Sequence, residues 1–405
     1  MRINTGVRGV VLATVFTVHF ALCGASQVTV VKPSSGKVGI SLVGLRPSGG
    51  DAASIFRRTL ESDLKLSGWF VVTAQATSLT VSGRSEDAGG KLRVTCALAI
   101  AGNPRKSFRR NYSMRSSEAR VLAHQVADEI VLAVKGVPGI ASTRIAMIGS
   151  VGGRKDLYMC DADGGRLVQV TRQGAVCLAP AWSPDADYVV YTSFHKGYPD
   201  IYRIDLASRR RTRTVGYPGL NTGACISRDG RNMALTLSKD GNPELYVLDL
   251  RGGRVTRLTN TRGAAEASPS WSPDGKQIVY VSDSSGSPQL YIISRAGGQP
   301  RRISFRGNEN VAPDWGPDGR IAYSSRRGGR YQICVLDPAS RDPVQLTSDY
   351  VDHEDPSWAP DGRHIVYART ARYESSLYIL DTLGDGEIRL TTMKGDWYSP
   401  AWSPK

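Results

Sequence analysis

Short runs of alternating apolar and polar residues fill the chain beyond residue 143. "YVVYTS", "NMALTL", "QIVYVS", "RIAYSS" and "HIVYAR" succeed one another at a spacing of about 44 residues. Runs of this kind on either side of a turn predict antiparallel strands. A tryptophan element precedes most of these runs: "PAWSPDA" (Trp182), "PSWSPDG" (Trp271), "PDWGPDG" (Trp315) and "PSWAPDG" (Trp358). A degenerate copy, "ACISRDG", carries Ile226 in the tryptophan's place, and a last copy, "PAWSPK", places Trp402 at the C-terminus. After each run comes a further strand ("IYRID", "LYVLD", "LYIIS", "ICVLD", "LYILD"), then a short closing one such as "TRLT" (Thr256–Thr259). Four strands per period is the content of one β-propeller blade.

The turn chemistry supports that reading. In Ser-Pro-Asp-Gly, Pro presets φ, Asp can bond the nearby backbone, and Gly accepts the positive φ that ends the hairpin. Each tryptophan then reads as a wedge between neighbouring sheets. An exposed ligand-stacking surface is the rival, and Ile226 speaks for packing because it can fill a core but cannot stack a sugar or base. The first unit, "RIAMIGS…DLYMCDADGGRLVQVT", lacks a tryptophan strand, while the chain ends in such a strand without a unit. Joined, they make one blade and predict a ring of six, closed by the C-terminal strand so that no long edge stays unpaired.

Residues 26–137 lack the repeat. "DAASIFRRTLESDLKLSG" sets Phe56, Leu60 and Leu64 on one helical stripe ending at Gly68; "SSEARVLAHQVADEIVLAVKG" does the same with Leu122, Val126, Ile130 and Val134. Ser116 or Ser117 can cap the second helix and Gly136 can end it. With strands at "KVGISLVGL", "WFVVT", "SLTVSGRS", "KLRVTCALAI" and "SFRRNYSMR", this predicts a small α/β domain. The expected fold is therefore mainly β: a signal peptide (1–25), the α/β domain (26–137), a linker (138–143) that brings the two parts into contact, and a six-bladed propeller (144–405).

Composition changes this picture little. The 43 glycines suit a turn-rich β protein, and a formal charge of +15 admits an acidic partner, although the Arg and Lys residues are scattered. The densest run, "RRRTR" (Arg209–Arg213), reads as a solvated hairpin loop. Arg2, Arg8 and the apolar "VVLATVFTVHFALC" read as an export signal cleaved after Ala25. Lipidation of Cys23 is the alternative, disfavoured by Leu22 where a small residue is wanted. Five later cysteines at irregular spacing indicate neither a disulfide framework nor a zinc site; Cys160 and Cys334 read as small buried residues at equivalent blade positions.

Motifs for catalysis are missing: there is no GxSxG elbow, P-loop or HExxH, and no histidine pair at ligand spacing. No catalytic residue, metal or cofactor is expected. "DADGG" (Asp161–Gly165) reads as a turn rather than a calcium loop, and "DYVDHEDP" (Asp349–Pro356) as surface acidity, with partner or metal binding as its alternative.

These residues resemble the TolB family of Tol-Pal system proteins over nearly the whole mature chain. The blade pattern is fullest at Pro269–Ser304, and the order of parts is more specific: "DLKLSGWF" (Asp63–Phe70), "AHQVADEIVLAVKG", the "RIAMI" entry and the terminal "PAWSP". The resemblance implies a periplasmic, non-enzymatic scaffold docking a peptidoglycan-associated lipoprotein, with outer-membrane integrity and cell division as its setting. It implies contact with a TolA-like inner-membrane protein through the mature N-terminus, and a protein peripheral to the envelope. It places the docking surface on loops entering the tryptophan strands, here Asn221, Thr222, Gly223, Ala224, Ala267, Ser268, Asn310, Asp314, Asp352 and Glu354. Blade-packing residues are Trp182, Ile226, Trp271, Trp315, Trp358 and Trp402. Blade three departs from the family pattern around Ile226, next to a docking loop. A secreted propeller enzyme, or a glycan- or peptide-binding protein using the central funnel, stays open as the alternative. Nucleic acid is set aside by the export signal.

Overall fold

In the computed structural model, which describes residues 36–75, 77–172, 174–340, 342–384 and 386–405, the alternating runs form strands and the two amphipathic stretches form helices. The export segment at 1–25, Cys23 included, lies outside the described residues.

The N-terminal part contains β1 (Val38–Gly49), α1 (Asp51–Leu66), β2 (Phe70–Thr73), β3 (Leu79–Ala88), β4 (Lys91–Ile100), β5 (Phe108–Arg115) and α2 (Ala119–Lys135). Its sheet has the order β2-β1-β3-β4-β5. Phe56, Leu60 and Leu64 of α1 and Leu122, Val126 and Ile130 of α2 bury against one face of this sheet. Gly68 and Gly136, at φ +69° and +75°, end the two helices in the left-handed region, where a Cβ would be strained. At the start of α2 the expected serine cap is replaced. A short 3₁₀ turn (Ser116–Glu118) leads in, and the Ser116 hydroxyl donates to Asp87 at 2.5 Å instead.

Six four-stranded sheets follow. The first blade joins the two ends of the ring: Asp396–Trp402 pairs antiparallel with Arg144–Val151, with Trp402 opposite Ile145 and Trp397 opposite Gly149. Gly149 is open because a Cβ there would come within 2.6 Å of the Trp397 ring. In the turns, Ser227 and Ser272 donate to Asp229 and Asp274 at 2.6 and 2.7 Å, and each Asp accepts the N–H of Arg231 or Lys276.

The tryptophans sit between sheets. Trp271 packs on Ala234, Leu245 and Val247 of the preceding blade, and Trp315 on Val279, Leu290 and Ile292. Ile226 meets Val190, Ile201 and Val215 in the same way. Two indoles also bond the preceding blade's backbone: Trp182 Nε1 donates to Ala401 O at 2.8 Å and Trp271 Nε1 to Cys225 O at 3.0 Å. The residue between Pro and Trp makes a second kind of bond. Ser270 Oγ accepts Trp315 N–H at 3.0 Å, Asp314 accepts Trp358 N–H at 2.7 Å, and Ser357 Oγ accepts Trp402 N–H at 3.0 Å. Between the second and third blades, where Ala181 faces Ile226, neither kind occurs among the described residues; Thr192 and Thr222 bond there at 3.1 Å.

Two details differ from the sequence reading. The register pairs Cys160 with Ile145 but Cys334 with Tyr323, whereas Leu336 is the residue opposite Ile321. Cys160 therefore corresponds to Leu336, and the two cysteines, although both buried, are not equivalent. In "RRRTR" only Arg209 and Arg210 belong to the loop; Arg211–Val215 is the outer strand of the second blade.

Candidate functional site

Antiparallel order gives the ring two different faces. One carries the Ser-Pro-Asp-Gly turns and the hairpins ending each third strand, and the N-terminal part rests on it. The other is formed by the turns between second and third strands and by the connectors between blades. Among the described residues, nine of the fifteen large apolar side chains left exposed lie on this second face. They include Phe194, Tyr198, Tyr217, Phe305, Tyr350 and Tyr373, with Val151, Val176 and Met393 beside them; Tyr350 and Tyr373 are 94% and 98% exposed. The other six belong to outer strands or to the N-terminal part. An apolar concentration on one face is the mark of a protein-docking surface.

Every innermost strand is bulged, and the bulge residue takes a positive φ: Ala179, Gly223, Ser268, Ala312, Asp355 and Ser399. These residues ring a central cavity of about 540 Å³. Its wall is mostly prolines, small residues and tryptophans, with Ile226, Arg228, Asp314 and Asp355 among them. The wall carboxylates are engaged, Asp314 with Ser270 and the Trp358 N–H, Asp355 with Ser399 Oγ at 2.8 Å. Burial pushes both above the ordinary aspartate range. This wall can hold a narrow segment of a partner, and the hydroxyls of its Ser270 and Ser399 are tied to its own carboxylates.

The loop residues singled out from the sequence divide into two groups. Asn221, Ala224 and Asn310 are buried. Asn221 Nδ2 donates to the carbonyls of Pro199, Tyr217 and Gly219, and Asn310 Nδ2 to Gln289 Oε1 and the Arg306 carbonyl, so both shape loops from beneath. Thr222, Gly223, Ala267, Asp314, Asp352 and Glu354 are partly exposed, and Ser268 is exposed. Burial, with Asp355 and Asp352 nearby, pushes Glu354 up to about 7. Asp352 is tied to Arg330 at 3.1 Å and to the Tyr331 N–H at 2.9 Å. The exposed aromatics Tyr350 and Tyr373 escape repeat analysis because they stand at non-repeating loop positions.

A second polar cluster joins the N-terminal part to the first blade. His124 of α2 contacts Asp63 of α1 at 2.8 Å through Nδ1 and Asp161 at 3.3 Å through Nε2. Arg120 holds Asp163 at 2.5 Å, and Arg166 holds Asp161 at 2.7 Å. Burial alone would lower His124, but the Asp161 and Asp63 carboxylates outweigh it and push the imidazole up to about 9. Burial raises Asp63 to about 6, whereas His124 and Arg166 overcome burial and hold Asp161 near 2. Asp63, His124 and Asp163 stand close enough to hold a metal ion. The guanidiniums of Arg120 and Arg166 already compensate the carboxylates, so the donor set is that of a salt-bridge network. Arg363 reinforces the junction by donating to the Gly68 carbonyl at 2.8 Å while stacked over Trp69. The "DADGG" hairpin is thus more than a turn.

Residues 132–405 match the family model described as the TolB beta propeller domain. The chain is similar to the Tol-Pal system protein TolB of Desulfosudis oleivorans, 33% identical over 202 residues, which cover 50% of this chain and 45% of that one. A similar stretch of 177 residues is 34% identical to the Tol-Pal system protein TolB of Alcanivorax borkumensis, covering 42% of this chain and 40% of that one. These matched stretches span less than half the length of either relative. The crystal structure of TolB from Acinetobacter baumannii superposes with a TM-score of 0.80 at 29% identity, covering 93% of this chain and 99% of that one.

Proposed function

We propose that this chain, which belongs to the TolB β-propeller family, is a periplasmic scaffold of a Tol-Pal envelope complex. Its loop face docks a peptidoglycan-associated lipoprotein, and through it helps the outer membrane follow the constricting cell. In this reading residues 1–25 are removed on export, 26–137 form one domain, 138–143 the linker and 144–405 the docking propeller. The new N-terminus then contacts a TolA-like inner-membrane protein. Among the described residues no helix is long and apolar enough to cross a membrane, in keeping with peripheral attachment. The protein works by binding and not by catalysis.

The observation that carries the proposal is the concentration of exposed aromatic and aliphatic side chains on the face opposite the N-terminal part. Aromatic anchors of this kind supply most of the energy at protein interfaces. Affinity capture from detergent-solubilised envelopes should recover a lipoprotein. Recovery of none, or capture unaltered when Tyr350 and Tyr373 are changed to Ser, would defeat the proposal.

A further inference from the structure

The sheet of the N-terminal part has a second face that none of the described residues covers. The helices take one face, with Phe56 and Leu60 of α1 in the sheet core, while His124 of α2, held by Asp63 of α1, reaches across to Asp161 of the propeller. The helices thus stand between sheet and ring, and the other sheet face points away from both the propeller and its docking loops.

Register identifies what that open face carries. Arg46 of β1 lies opposite Arg84 of β3, which lies opposite Thr95 of β4, which lies opposite Asn111 of β5. In the neighbouring rows stand Gly44, Ser82, Ala97 and Arg109, then Ser48, Glu86, Arg93 and Ser113. Arg46, Arg84, Arg93 and Arg109 are all exposed, as is Lys91 at the end of β4. Among the described residues Arg84 bonds the neutral Ser48 hydroxyl, at 3.1 Å. The one acid that the register places among them is Glu86, opposite Arg93. Two arginines directly opposed across adjacent strands repel one another, a cost that an anionic partner would remove. By contrast Arg110, which points to the helix side, is paired with Glu129 at 2.7 Å.

We propose that this open, basic sheet face is an electrostatic docking surface for an anionic lipid bilayer. Small residues (Gly44, Ser82, Ala97) keep the floor low between the arginines, so the guanidiniums can reach a planar array of phosphates together. Guanidinium forks suit phosphate oxygens. No aromatic side chain stands in these rows, which removes the stacking platform that single-stranded nucleic acid uses. The chain would then lie with its sheet on the headgroups and its loop face turned toward its protein partner.

Flotation of the purified chain with vesicles tests this. Vesicles of phosphatidylcholine containing phosphatidylglycerol should bind it, pure phosphatidylcholine vesicles should not, and added salt should release it. Near an anionic leaflet each arginine contributes about five-fold in affinity, so the triple variant Arg84→Gln, Arg93→Gln, Arg109→Gln should lose roughly 100-fold. A control triple variant on exposed propeller turns, Arg251→Gln, Arg254→Gln, Arg295→Gln, should bind like the parent. Equal binding to both vesicle types would overturn the proposal, as would equal losses in the two triple variants. Retention on an acidic polypeptide without vesicle binding would also overturn it. Lipoprotein capture can succeed or fail independently of all these outcomes.

Discussion

The indole Nε1–H of Trp402 donates to the Thr143 hydroxyl at 2.7 Å, joining positions 259 residues apart in sequence. Next to it, the Arg144 N–H bonds Ser403 Oγ at 2.9 Å and the Ser403 N–H bonds the Arg144 carbonyl at 2.8 Å. The ring is therefore sealed by side chains as well as by a β-ladder. Deleting Tyr398–Lys405 should abolish soluble expression or lower the melting temperature sharply, since it exposes one edge of the first blade. Trp402→Ala should cost about 3–5 kcal/mol and Thr143→Val about 1 kcal/mol in chemical denaturation. A truncated chain as stable as its parent would show that the seam does not hold the ring.

The residue between Pro and Trp should set the strength of each blade junction. Ser270→Ala removes the acceptor of the Trp315 N–H and should destabilise by about 1 kcal/mol. The reverse change, Ala181→Ser, offers an acceptor at the second-to-third junction and should stabilise by about 0.5–1.5 kcal/mol. Urea midpoints of both variants decide the matter, and opposite signs are expected.

Stability should depend on pH through the junction of the two parts. His124 is raised from 6.5 to about 9, so its contribution is complete below pH 6.5 and lost as pH climbs through 9. Asp161 is lowered from 3.8 to about 2, so its contribution is present above 3.8 and lost as pH falls through 2. Asp63, raised from 3.8 to about 6, acts in the opposite sense to Asp161: its contribution is present below 3.8 and lost as pH rises through 6. Melting curves of the parent and of His124→Asn should differ most near pH 6.5 and converge toward pH 9 and beyond. A constant difference across that range would mean that the ring contributes packing alone.

Tyr350 and Tyr373 should matter for binding and little for folding. Both are almost fully exposed, so replacement by Ser should change stability by no more than about 0.5 kcal/mol. If they anchor the partner, each should cost roughly 1–2 kcal/mol of affinity, or about 5–30-fold in Kd by calorimetry.

The blades were legible because their determinants are local. Ser-Pro-Asp-Gly fixes a turn within a few residues, and a short apolar run such as "QIVYVS", buried on both faces from Ile278 to Ser282, fixes a strand. The bonding partner of Ser270 or Asp314 was not legible, because it lies one whole blade further along the chain. Nor was the supposed equivalence of Cys160 and Cys334 sound: short strings can be slid by two residues, and only the paired register fixes the count.

From the amino-acid order alone came the six repeats, the closure by the C-terminal strand and the separate α/β part, all consequences of periodicity and turn chemistry acting over short distances. Tertiary structure alone decided that His124 is held between two aspartates, 61 and 37 positions away in sequence. It also decided that nine scattered apolar side chains share one face of the ring and that Arg46, Arg84, Arg93 and Arg109 stand exposed on one sheet face. Those groupings depend on strand register and on how two folded parts dock, and no short stretch of sequence carries that information.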